Sequence, residues 1–69
     1  MGKWILVKAT DGIIGPAASR PPEVTSYHTF EDALAGMVED IEAEGGGDYS
    51  EDFGYGTSDN GFVYEIFGA

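Results

Sequence analysis

The chain predicts an α+β fold: a small antiparallel sheet of three to five strands, with one amphipathic helix at about residues 30–44 packed on one face. Three observations carry this expectation. Residues 29–44, TFEDALAGMVEDIEAE, repeat apolar side chains at three- and four-residue steps, the period of a helix with one buried side. Runs rich in β-branched and aromatic residues lie towards both termini, KWILVKA at 3–9 and FVYEIF at 62–67, and such runs suit pleated, buried strands. Between them stand Thr10-Asp11-Gly12, GPAASRPP, Gly45-Gly46-Gly47 and Ser58-Asp59-Asn60-Gly61, clusters that break regular structure.

In chain order, residues 3–9 are the first strand and Ile13-Ile14 begins a short second one after the turn at 10–12. Residues 15–22 are loop, because three prolines there remove backbone donors and restrict their neighbours. Val24 to His28 is extended. Thr29 is placed to cap the helix, with Asp32 three residues on, and Glu31 and Asp32 suit the positive end of the helix dipole. Phe30, Leu34, Met37, Val38 and Ile41 fall within an arc of about 100° and form the core-facing stripe. The three glycines at 45–47 end the helix. A further strand is expected around Phe53 and Tyr55. Asn60-Gly61 turns the chain by adopting positive φ, leading into the last strand at 62–67. One helix covers one sheet face, so Trp4, Tyr55 and Tyr64 are expected in the core. The alternative leaves them as an aromatic surface on the second face.

Length and composition bound the function. Sixty-nine residues support one domain, 1–69, with a single small core. With no cysteine, there is neither a disulfide nor a thiolate metal site to reinforce it. No stretch reaches the roughly 20 apolar residues of a membrane span, and the apolar run in MGKWILVKATDG is too short for a secretory signal. Charge is the outlying property. Thirteen acids face three bases for a formal net charge of −10. Lys3, Lys8 and Arg20 all precede Pro21, and the remaining 49 residues contain no Lys or Arg. Such polarity opposes direct binding to nucleic acid or to an anionic membrane surface and favours a cationic partner.

Motifs for chemistry are sparse. The one histidine, His28, has no cysteine to pair with, and no serine sits in a nucleophile motif. Gly45-Gly46-Gly47 lacks a phosphate-loop lysine and lies among acids. No catalytic residue and no cofactor are therefore expected. A calcium loop is the weaker alternative, with Asp48, Ser50, Asp52 and Asp59 at the first, third, fifth and twelfth positions. Phe53 stands at its sixth, where the sharp-turn glycine belongs, and a strand follows where a helix should.

The remaining signal is the acidic surface. VEDIEAEGGGDYSED, Val38 to Asp52, holds seven carboxylates and no base. Glu31, Asp32, Glu39 and Glu42 share one arc of the helix, Asp40 and Glu44 lie further round, and Asp48, Glu51 and Asp52 extend the negative surface past the helix end. The six helical acids span about 20 Å, a length over which a B-DNA strand carries about six phosphates. Ordinary surfaces mix both signs, because unrelieved repulsion weakens a small fold. These nine residues are therefore the expected contact with a basic nucleic-acid-binding protein. Lys3, Lys8 and Arg20 are expected to mark the face turned away. The competing readings are a small calcium-binding module, or a structural or adaptor module whose acids serve solubility.

In its overall character, a short chain with the dense acidic helix and loop EDALAGMVEDIEAE and GDYSED, the sequence resembles the small phage-encoded anti-CRISPR inhibitors of the DNA-mimic kind. That resemblance implies a monomeric, non-enzymatic inhibitor in the cytoplasm of a bacterial host. It also implies a target among CRISPR surveillance-complex subunits, at the surface that receives DNA beside the PAM.

Overall fold

A computed structural model describes residues 3–10 and 22–68. The expected short strand at Ile13-Ile14, most of the proline loop, and Arg20 lie outside the described residues. Five strands and one helix follow in the order β1 (Trp4–Thr10), β2 (Glu23–Tyr27), α1 (Phe30–Ala43), β3 (Gly47–Ser50), β4 (Tyr55–Ser58) and β5 (Phe62–Gly68). The strands form one antiparallel sheet in the order β2-β1-β5-β4-β3, and α1 lies across one face of it. The α+β fold read from the sequence is thus the fold observed.

Strand register decides which side chains meet the helix. Leu6 stands between Thr25 and Ile66, and Lys8 between Glu23 and Tyr64. Side chains alternate along a strand, so Trp4, Leu6 and Lys8 share the helix-covered face with Tyr64 and Ile66. The core closes there: Leu6, Tyr64 and Ile66 from the sheet meet Ala33, Met37 and Ile41 from the helix, with Trp4, Tyr27, Phe30, Leu34 and Phe62 packed round them. Burying a large apolar side chain contributes about 1.5–3 kcal/mol, which makes this one layer the main support of the fold. Trp4 meets Phe30 edge to face, with ring centroids 5.3 Å apart.

The helix is rotated slightly from the expected stripe. Its innermost line is Ala33, Met37 and Ile41, at four-residue steps, while Phe30, Leu34 and Val38 are only half-buried. Small residues explain the shift. Ala33 lets the helix approach the sheet, and the Tyr27 ring occupies the space that a Cβ on Gly36 would need. Thr29 caps the helix as expected, its Oγ1 accepting a 3.0 Å bond from the Asp32 N–H. At the other end, the Gly46 N–H donates to Ile41 C=O (2.9 Å) and the Gly45 N–H to Glu42 C=O (3.4 Å). With Gly45 at φ +94°, this is a Schellman motif, which glycine favours because it has no Cβ to clash.

Beyond the helix, residues 47–58 form a complete hairpin, β3 and β4, where one strand was expected. Phe53 is not in a strand but in the turn at 51–54. The turn before β5 also differs in detail. Gly61 alone takes positive φ there (+89°), since none of the described non-glycine residues does. This fits a turn closed by a left-handed glycine rather than one with both Asn60 and Gly61 left-handed.

Candidate acidic interaction surface

The six helical acids divide into two groups. Glu31, Asp32, Glu39 and Glu42 are all exposed; they occupy the arc opposite Ala33, Met37 and Ile41 and therefore point away from the sheet. Asp40 and Glu44, four residues apart and so on one side of the helix, instead turn towards β1. There the Lys8 ammonium lies 2.8 Å from Asp40 Oδ2 and 2.9 Å from Glu44 Oε2. The Lys8 side chain is only 12% exposed, and its Nζ stands 4.2 Å from the Phe62 ring centroid, a favourable cation–π placement. The Tyr64 hydroxyl donates to Asp40 Oδ2 at 2.6 Å, and Asn60 Nδ2 donates to Glu44 Oε1 at 3.1 Å.

This cluster holds each member in one charge state. For Asp40, burial opposes ionisation, but hydrogen bonds from Lys8 and Tyr64 outweigh it and hold the carboxyl below its ordinary range. The bond from Lys8, then that from Asn60, lowers Glu44 likewise. Burial would lower Lys8, yet the two carboxylates outweigh it and raise its pKa. Burial, then the bond to Asp40, pushes Tyr64 up to about 12. The expectation that Lys8 marks a face turned away is corrected: it sits against the helix and pairs with two of the residues expected to contact a partner, offsetting one of their two charges. Lys3 is exposed.

The loop acids lie at the two ends of the β3–β4 hairpin. Glu51 and Asp52 are exposed in its turn, which is pinned to the rest of the molecule. The Gly54 C=O accepts from the Ile66 N–H at 2.7 Å, and a Cβ on Gly54 would lie 3.2 Å from Phe30. The turn therefore lies beside the first turn of α1, bringing Glu51 and Asp52 to the end of the molecule that carries Glu31 and Asp32. Phe53, between these acids and Gly54, is 82% exposed; the sequence offered no sign of this, because an isolated aromatic beside turn residues reads equally well as a strand residue. Asp48 is exposed on β3, and Asp59 follows β4 at the opposite end of the hairpin.

The calcium loop does not form. Asp48 and Ser50 lie in β3, paired with Thr57 and Tyr55, while Asp52 and Asp59 flank the two ends of β4, more than about 13 Å of extended chain apart. Among the described residues no group of three or more His, Asp or Glu side chains is placed to hold a metal ion.

The remaining sequence candidates are also placed. His28 is exposed beside a recess lined by Lys3, Ser26 and Tyr27. Tyr64 is fully buried and Trp4 packs on the core. Tyr55, expected in the core, is 45% exposed, because its pairing with Glu65 puts it on the sheet face away from the helix. No helix among the described residues is long and apolar enough to cross a membrane. Compared with protein-family models, curated proteins and solved structures, the chain matches none of them.

Proposed function

We propose that the protein is a non-enzymatic acidic inhibitor that occupies a basic, nucleic-acid-binding surface of another protein. One observation carries this reading: with Asp40 and Glu44 sharing the one ammonium of Lys8, α1 still presents Glu31, Asp32, Glu39 and Glu42 to solvent, with no basic side chain among the described residues against them. From 31 to 42 the helix rises about 16 Å, a length over which one B-DNA strand carries about five phosphates. Four carboxylates on that length form a coarse electrostatic stand-in for a strand rather than a copy of it. Glu51 and Asp52 extend it at the helix N-terminal end.

The placement of the acids along the helix supports a role outside the fold. Glu31 and Asp32 favour the helix N-terminus, but Glu39 and Glu42 lie in its C-terminal half. The last turn carries no base, and negative charge there opposes the helix dipole. Acids held at a disfavoured position fit a surface shaped for a partner. Association would be steered by charge and would exclude the nucleic acid from the groove. The targets of the inhibitor class that the sequence resembles, CRISPR surveillance complexes at their PAM-reading surface, have this chemistry.

The test is capture of bacterial nucleic-acid-binding proteins on the immobilised chain, at low and high salt and with duplex DNA as competitor. The expected result is a bound protein displaced by DNA and by salt, and not retained by a Glu39→Lys/Glu42→Lys/Asp52→Lys variant of unchanged circular dichroism. Retention by that variant, or indifference to DNA, overturns the proposal.

A further inference from the structure

The sheet has a second face, and no described element covers it. Side-chain alternation puts Ile5 and Val7 of β1, Val24 of β2, Tyr55 of β4, and Val63 and Phe67 of β5 on this side, whereas every member of the buried core lies on the other. Val24 is 60%, Phe67 47% and Tyr55 45% exposed. Of the large hydrophobic side chains exposed in the described chain, three of five therefore gather here. A soluble surface normally scatters such residues, and their concentration marks a contact site.

Charge defines what fits. The strands place two ionisable acids on this face, Asp48 at the β3 edge and Glu65 in the middle. Glu65 is exposed and stands in register between Val7 and Tyr55; Lys3, one residue before β1, lies at the far end of this face beside Ser26, four positions and so about 13 Å along the strand from Val7. A second copy is a poor occupant, because each chain carries a net charge of −10 and two copies repel. A cationic partner meets no such repulsion and is steered to the face by charge.

We propose that this face is a protein-docking surface whose occupant presents apolar side chains around a lysine or arginine that pairs with Glu65. It lies on the opposite side of the sheet from the outward acids of α1, so one rigid groove cannot receive both, and the molecule is two-sided.

The test is an amide NMR titration of the full chain with two octapeptide probes, one alternating valine and lysine and the other valine and glutamate. The valine–lysine peptide is expected to shift Ile5, Val7, Val63 and Glu65 and to bind at least tenfold more tightly than its acidic counterpart. Glu65→Lys is expected to invert that order, and the milder Glu65→Gln to abolish the preference. Glu39→Lys/Glu42→Lys should leave these shifts in place, which separates this proposal from the reading of the helix. The proposal is overturned if the shifts are confined to the acids of α1, or if Glu65→Lys leaves the order unchanged. It is equally overturned if sedimentation shows a dimer that Phe67→Ser dissociates, or if a soluble paramagnetic probe finds the face already shielded in the free protein by residues 11–21.

Discussion

Two sides of one helix carry the same chemical group for opposite purposes. On the inner flank of α1, Asp40 and Glu44 share the ammonium of Lys8 and accept hydrogen bonds from Tyr64 and Asn60. On the outer side, Glu31, Asp32, Glu39 and Glu42 stand exposed. The difference shows that a count of carboxylates overstates a recognition surface: two of the six belong to the architecture, and only the other four are available to a partner.

The largest effect that could break this contrast comes from Lys8. Lys8→Met would leave two neighbouring carboxylates half-buried without their cation. Losing one partner of a fully buried ion pair costs about 3–5 kcal/mol. Solvent reaches Asp40, whose side chain is 37% exposed, and screens much of the interaction, so about 1–2 kcal/mol is expected from the Lys8–Asp40 pair. For a domain of this size that is a fall in Tm of about 5–15 °C, readable by thermal or urea unfolding. An unchanged Tm would mean that the inner acids are as dispensable as the outer ones.

Acidity provides a second, smaller test. Asp40 and Glu44 are held below their ordinary pKa values. Their contribution is therefore present at neutral pH and lost as pH falls below about 4 and through the lowered values. Lys8 and Tyr64 are raised, Tyr64 to about 12, so theirs persists at neutral pH and is lost as pH climbs past about 10. Wild type should lose more Tm between pH 7 and pH 3 than Lys8→Met does. Protonation of the outer acids is common to both proteins and cancels in that comparison. Parallel curves would contradict the assignment.

The smallest effects sharpen the outer side. Glu31→Lys puts a positive charge at the positive end of the helix and should destabilise by about 0.3–1 kcal/mol; Glu42→Lys relieves the negative end and should stabilise by a similar amount. It also gains Glu39 as a neighbour of opposite sign three residues back. Differential scanning calorimetry should show the two shifts with opposite signs. Two shifts of the same sign would show that net charge, not helix position, governs this side.

Much of the fold was legible because its signals are local. The helical stripe, the Thr29 cap, the glycine stop at 45–47 and the strand at 62–67 are each set by residues within a few positions of one another. The β3–β4 hairpin was not, since its strands are four residues long, contain Gly47 and Gly56, and lack a sustained alternation. The role of Lys8 was hidden for a different reason. Its partners lie 32 and 36 positions away, and both sides of KWILVKA are apolar, so alternation alone could not say that the side shared by Leu6 and Lys8 is the one the helix covers. Of the nine acids read as the contact surface, their chain positions identified the exposed four on α1 but could not remove Asp40 and Glu44. That required the sheet register. Tyr55 was misplaced because the pairing of β4 with β5, which the sequence did not reveal, decides its side.

The junction at residues 58–61 has a consequence for how the molecule assembles. The Asn60 N–H donates to Glu44 C=O at 3.2 Å, and the Asp59 N–H to Gly46 C=O at 2.7 Å. The Glu44 carbonyl left over at the end of the helix, and the Gly46 carbonyl just past it, are thus satisfied from a segment that arrives some 15 residues later in the chain. The glycine stop ends the helix by itself, but the end is tied to the rest of the molecule only when the turn at 58–61 docks, so loosening that turn should raise fraying at the helix C-terminus.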